Sequence, residues 1–250
     1  MTVIAAIPAR YAAARLPGKL LLDLGGKPII AHVVEVALRS TQIDTVLVAT
    51  DHDGIAEAAR LAGAEVAMTD PQLPSGSDRI GRALRGRSYD LALNIQGDEP
   101  EMDPLALDQL ISTMRAQPKA DIGTLSAPLE PGQLSDPNAV KVVCDHQGFA
   151  LYFSRAPIGT DRESLLNNAE SPQSAARRHV GVYAYRKQNL ERFLGCEPSA
   201  LERRERLEQL RALEMGMKIL VVQVDDAPRG IDTEQDLIAA RRRFAEQKVD

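Results

Sequence analysis

The sequence predicts an α/β fold: a doubly wound, mainly parallel sheet with an inserted β-rich lobe. Three observations carry that prediction. Short, continuously apolar runs such as VIAAI (3–7) and LALNI (91–95, polar only at Asn94) read as strands buried on both faces, as parallel strands are. Between them lie stretches with apolar residues at helical spacing, so strand and helix alternate over the first ~110 residues. Farther along, this alternation gives way to several short strands, which places the lobe within roughly 120–200.

The elements follow in order. Residues 3–7 form the first strand, stopped by Pro8. A loop rich in Arg, Gly and Lys leads to a turn at 25–28 (GGKP), and Ile30, Val33, Val34, Ala37 and Leu38 set a helix over 29–38. TVLVAT (45–50) is the second strand, ended by Asp51, and 53–62 is a helix closed by Gly63. A third strand covers 65–69. The next helix, 77–84, has Ser75 or Ser77 available as N-cap. The fourth strand, 91–95, runs into Gln96-Gly97-Asp98-Glu99-Pro100. In the second half, 121–127, 139–144, 150–154 and 179–185 read as strands, with a tight turn at 146–148 and a polar, mobile surface segment over 165–178. A charged amphipathic helix is expected over 201–215, a strand over 219–224, and a basic helix from Thr233 onward. No Gly/Ser-rich linker or repeat interrupts the chain, so 1–250 reads as a single α/β domain.

Composition narrows the function. With 30 Lys+Arg against 35 Asp+Glu the net charge is −5, and 44% of residues are hydrophobic. This is a globular composition whose acidic balance argues against a nucleic-acid partner. Cys144 and Cys196 cannot build a disulfide framework or a four-cysteine zinc site, and are expected to be buried thiols in a reducing compartment. The apolar start ends at Pro8, too soon for a signal peptide, and no stretch reaches the ~18–20 apolar residues of a membrane span. A cytoplasmic protein without a membrane partner is expected.

In doubly wound sheets, ligands sit beyond the C-terminal strand ends. The polar loops after the first, third and fourth strands should therefore converge on one crevice. After the first strand, Arg10, Arg15, Gly18 and Lys19 offer fixed positive charge and backbone donors suited to a polyphosphate. Neither GxGxxG nor GxxxxGK[ST] occurs there, so a solvated basic turn is the competing reading. Asp98 at a central strand terminus and Asp232 in RGIDT offer hard oxygen ligands for Mg²⁺. Alone, Asp232 would equally serve as a helix N-cap.

The blocks AAIPARYAAARLPGKLL, GGKPII, VATD, SGSDRI, NIQGDEP, NAVKVV, ALYFSRAPI, RHVGVYAYR, LEQLRALEMG and GIDTEQDL follow one another through nearly the whole chain. Together they resemble the 3-deoxy-manno-octulosonate (Kdo) cytidylyltransferases, or CMP-Kdo synthetases. The resemblance implies a nucleotide-diphospho-sugar transferase-like fold whose β-rich lobe serves dimerisation, and transfer of CMP from CTP to Kdo with release of pyrophosphate. It further implies Mg²⁺ as cofactor, a homodimer, and activation of the sugar for lipopolysaccharide synthesis. Matched by motif, Arg10, Arg15 and Lys19 would hold the triphosphate. Ser75, Gly76, Asp78 and Arg79 would lie against cytosine and ribose, and Asp98 and Asp232 would hold the metal. The sugar acid would contact Gln96, Arg155, His179, Tyr183, Glu208 and Gln209. Two loops depart from the family pattern: Pro74 stands where a His is frequent, with Ser77 for Thr, and Gly159-Thr160-Asp161-Arg162 replaces PWDR.

Four alternatives remain beside this reading. The sugar could be an 8-amino Kdo analogue, or the protein a different sugar nucleotidyltransferase. A nicotinamide-dependent dehydrogenase would find its ribose-binding acid in Asp51 but lacks the glycine motif. A non-catalytic binding module would have no use for two metal-binding carboxylates.

Overall fold

The computed structural model describes residues 1–12, 16–166 and 174–246. The chain divides into two compact units, 1–108 with 228–250, and 109–227. The second takes in the segment expected as an inserted lobe and extends past it at both ends.

In the first unit, β1 (Val3–Ala9) leads through a 3-10 turn (Lys19–Leu21) to the hairpin of β2 (Asp23–Leu24) and β3 (Lys27–Pro28). Then come α1 (Ile29–Arg39), β4 (Thr45–Thr50), α2 (Asp53–Leu61), β5 (Glu65–Met68), α3 (Gly76–Leu84) and β6 (Leu91–Asn94), and α4 (Pro104–Ala116) carries the chain onward. The strands lie in the order β6-β1-β4-β5, and each neighbouring pair is parallel. Ala5 of the central strand sits opposite both Val46 and Leu93. Every residue of β6 and all of β1 but Pro8 are buried, which explains why these runs are apolar without alternation. The chain builds β4 and β5 on one side of β1 and then returns to place β6 on the other. This reversal opens a crevice at the C-terminal ends of β1 and β6.

In the second unit, β7 (Ile122–Ala127), β8 (Lys141–Cys144), β9 (Ala150–Ser154), α5 (Arg162–Leu166), β10 (Arg177–Arg186), α6 (Lys187–Leu194), α7 (Ala200–Glu205), α8 (Gln209–Glu214) and β11 (Ile219–Gln223) follow in order. β11 pairs parallel with β7, whereas β7–β10, β10–β8 and β8–β9 are antiparallel. The chain then closes with α9 (Glu234–Glu246), back in the first unit.

Two expectations need correction. The single helix over 201–215 is two short helices, because Arg206 adopts the left-handed conformation (φ 54°) and ends α7. Ser199 and Glu202 fix the start of α7 as a reciprocal capping box. Cys144 and Cys196 are free but partly exposed rather than buried, although desolvation still pushes the Cys144 thiol up to about 11. Of the two N-caps the sequence offers for α3, the helix uses Ser75, while Ser77 is buried within the helix. Of the mobile segment expected over 165–178, residues 167–173 lie outside the described residues, while 165–166 end α5, Ala176 is buried and Arg177–Arg178 open β10.

Candidate functional site

The crevice of the first unit is built by β1 and β6. At Gly97, just past β6, a Cβ would lie 3.0 Å from the Pro8 carbonyl oxygen, so a side chain would push the two strand ends apart. Glycine lets Asp98 come up beside the loop that follows β1. Asp232 arrives from the far end of the sequence, held by the Ile231 N–H donating to the Asp98 carbonyl at 2.9 Å. Between the two carboxylates lies Lys19. Its Nζ donates to Asp98 Oδ2 at 2.5 Å, to Asp232 Oδ1 at 2.8 Å and to the Ile231 carbonyl at 2.9 Å. Burial works against the Lys19 charge, but the Asp98 carboxylate and the hydrogen bonds to Asp232 and Asp98 outweigh it, so its pKa is raised.

A cleft of about 490 Å³ opens here, lined among others by Arg10, Lys19, Gly76, Arg79, Gln96, Asp98 and Asp232. The loops after β1, β5 and β6 thus meet as the sequence predicts. Exposed Arg10 reaches the Pro74 carbonyl at 3.5 Å. Arg15 lies outside the described residues. Ser75 Oγ accepts from the Asp78 N–H at 3.1 Å and donates to Asp78 Oδ2 at 2.8 Å, so both residues serve the cap of α3. Gly76 packs tightly on Pro8, its Cβ position 3.2 Å from the ring. Gln96 donates weakly to Asn94 Oδ1, at 3.4 Å.

Arg79 is 1% exposed and turned inward: Nη1 donates to Thr69 Oγ1 at 2.5 Å and Nη2 to Asp51 Oδ2 at 3.0 Å. Asp51 Oδ1 also takes the Tyr11 N–H at 2.9 Å, and the Tyr11 ring stacks on His52 at 4.0 Å. The Gly18 N–H closes the loop onto the Tyr11 carbonyl at 3.1 Å. Arg79 and Asp51 therefore brace the cationic loop from beneath, a role the sequence reading missed. The available signal was Asp51 at a buried strand end. Its commitment to Arg79 and Tyr11 also removes the ribose acceptor that a dehydrogenase would need.

The other candidates lie in the second unit. The register of β10 against β7 shifts between Val180 and Tyr183, and Thr124 fills the irregularity. Its hydroxyl donates to the Val182 carbonyl at 2.8 Å and lies 2.9 Å from His179 Nε2. The hydroxyl has one proton to give; where it goes to the Val182 carbonyl, Nε2 is the donor to Oγ1 and Nδ1 of the neutral ring an acceptor. Desolvation lowers the His179 pKa to about 3, so the ring is neutral at pH 7. Phe153 meets it edge-on and Tyr183 lies 5.5 Å away. Arg155 is anchored through Nε to the Glu205 carbonyl and through Nη1 to the Pro137 carbonyl, both at 2.9 Å. The break at Arg206 places Glu208 and Gln209 at the start of α8. Gln209 is 4% exposed, and its buried Nε2 donates to no described residue. Thr124, which orients His179, escaped the sequence reading because a threonine in a strand carries no signal of its own.

Among the described residues no group of three or more His, Cys, Asp or Glu side chains is placed to hold a metal. The all-oxygen set of Asp98, Asp232 and the Ile231 carbonyl nevertheless already surrounds a cation. Its donor chemistry suits a hard divalent ion whose remaining ligands are water and phosphate.

The cytidylyltransferase family profile matches residues 4–219. The 3-deoxy-manno-octulosonate cytidylyltransferase of Bdellovibrio bacteriovorus is 41% identical over 99% of both chains. Its namesake from Methylococcus capsulatus is 46% identical, over 96% of this chain and 95% of its own. A solved CMP:2-keto-3-deoxy-manno-octonic acid synthetase complexed with CTP superposes with a TM-score of 0.91 at 36% identity, covering 99% of this chain and 100% of that one. A 4-diphosphocytidyl-2C-methyl-D-erythritol synthase, at 15% identity and a TM-score of 0.63, shares the fold alone. Likeness at this level over the whole length settles membership: the chain belongs to the 3-deoxy-manno-octulosonate cytidylyltransferase family.

Proposed function

We infer that the protein transfers CMP from CTP to Kdo, giving CMP-Kdo and pyrophosphate. The observation that carries this is full-length likeness to enzymes of that name, at 41% and 46% identity. The 8-amino analogue and other sugar nucleotidyltransferases have no comparable support. In this reading a sugar hydroxyl attacks the α-phosphorus; the new P–O bond forms as the bond to pyrophosphate breaks. The protein contributes positioning and charge neutralisation, without a covalent intermediate.

Arg10 and Lys19, with Arg15, would hold the triphosphate, and Ser75, Gly76 and Asp78 would lie against the nucleoside, with Arg79 bracing the loop. Arg155, His179, Tyr183, Glu208 and Gln209, with Gln96, would bind the sugar acid. The Gln209 amide, whose Nε2 donates to no described residue, and the neutral imidazole of His179 suit a polyhydroxylated ligand. Asp98, Asp232 and the Ile231 carbonyl would hold Mg²⁺, which when bound would neutralise phosphate charge and activate the attacking hydroxyl. The reading includes a homodimer, from the family resemblance, acting in the cytoplasm, where CTP is supplied, and feeding lipopolysaccharide synthesis.

Incubation with CTP, Mg²⁺ and Kdo should release pyrophosphate in step with CMP-Kdo. Pyrophosphate release that ignores Kdo would sink this reading. Asp98→Asn should abolish turnover and leave the circular dichroism spectrum intact, because an amide is a weaker, uncharged ligand; full activity in the folded variant would remove Asp98 from the metal site.

A further inference from the structure

In the first unit, an ammonium sits where the proposed function places a metal. Lys19 Nζ has three N–H donors, and each meets an oxygen: Asp98 Oδ2, Asp232 Oδ1 and the Ile231 carbonyl, all within 2.9 Å. The lysine is 9% exposed, and its backbone is pinned by hydrogen bonds to Leu16 and from Leu22. The head, by contrast, rides on a flexible four-carbon stem. Two cations cannot share one set of oxygens: the ammonium fills the space, and like charges at such distances repel. A divalent ion therefore has to displace Lys19, which needs another anion to receive it. The same cleft, with Arg10 on its wall, is where a triphosphate would bring that anion.

We propose that Lys19 is a built-in counterion that keeps divalent cations off Asp98 and Asp232 until a nucleoside triphosphate arrives. Lys19 then passes from the carboxylates to the phosphates, and the metal enters with the nucleotide. The proposal rests on the metal assignment made above. It gives one lysine two successive duties: neutralising carboxylates in the free enzyme and phosphates in the complex.

The test is Mn²⁺ binding to the full-length, nucleotide-free protein, followed by electron paramagnetic resonance. Lys19→Met and Lys19→Gln should bind Mn²⁺ about tenfold or more tightly than wild type, since a competing unit charge is gone. Adding Asp98→Asn should cancel the gain. Equal or weaker binding by the folded Lys19 variants overturns the proposal. Micromolar Mn²⁺ binding by the nucleotide-free wild type also overturns it, and this arm needs no variant to fold. Failure of the metal assignment has a different signature: Asp98→Asn would leave Mn²⁺ binding of the CTP-saturated protein unchanged, and both readings would fall.

Discussion

Lys19 shows how one side chain can be legible in kind and not in partner. A lysine after the first strand reads as a phosphate ligand, and nothing in the spacing of 19, 98 and 232 announces that both carboxylates close on it. Lys19→Ala should lower kcat by about 10²–10³, the usual loss when a donor to developing charge is removed. Unchanged kinetics in a folded variant would make the basic turn structural. His179 carries a separate prediction. Its pKa is lowered by burial from 6.5 to about 3. The unfolded chain therefore binds a proton in this interval that the folded chain refuses. Stability from this source is fully present above pH 6.5 and drains as the pH falls toward 3, by at most about 1.4 kcal/mol per unit. Urea melts of His179→Gln should show a flatter decline below pH 6.5 than wild type; an identical slope would mean that the folded imidazole titrates like an exposed one.

Among elements, legibility follows how much of the signal is local. β1, β4 and β6 were readable because strands buried on both faces must be apolar throughout, and α1 because its apolar residues keep helical spacing. α6 was not: KQNLERFL follows β10 with no breaker between, and few of its residues are apolar. The break between α7 and α8 was equally hidden, since an arginine rather than a glycine takes the left-handed turn. That break matters, because a continuous helix would carry Gln209 to another angle. Ser199→Ala removes the capping box of α7 and should lower stability by about 1 kcal/mol in urea denaturation. Arg206→Gly should do the opposite or nothing, because glycine takes positive φ without strain. A clear loss in Arg206→Gly would mean that the arginine side chain, not the backbone turn, holds this corner.

At the scale of the molecule, the candidates divide by unit. The cationic loop, the cap of α3, the two carboxylates and Gln96 belong to the first, while the other sugar-site candidates, Arg155, His179, Tyr183, Glu208 and Gln209, belong to the second. The blocks of the sequence carried most of this division; the exception is NIQGDEP, which holds both Gln96, matched to the sugar, and Asp98, matched to the metal. The bracing by Asp51 and Thr124 was invisible there, since it depends on contacts between residues far apart in the chain. If the division is functional, perturbing one unit's polar set should leave the other substrate's binding intact. Gln209→Ala is the sharper probe, because its buried amide nitrogen donates to no described residue. A site that hydrogen-bonds hydroxyls loses affinity when one donor is removed, on the order of 1–3 kcal/mol for a buried partner. The Gln209→Ala KM for Kdo should therefore rise by roughly tenfold to a hundredfold, while calorimetry finds CTP binding within error of wild type. Equal losses for both substrates would show that Gln209 supports the fold of the site as a whole, and the assignment of the second unit's polar residues to the sugar would fail with it.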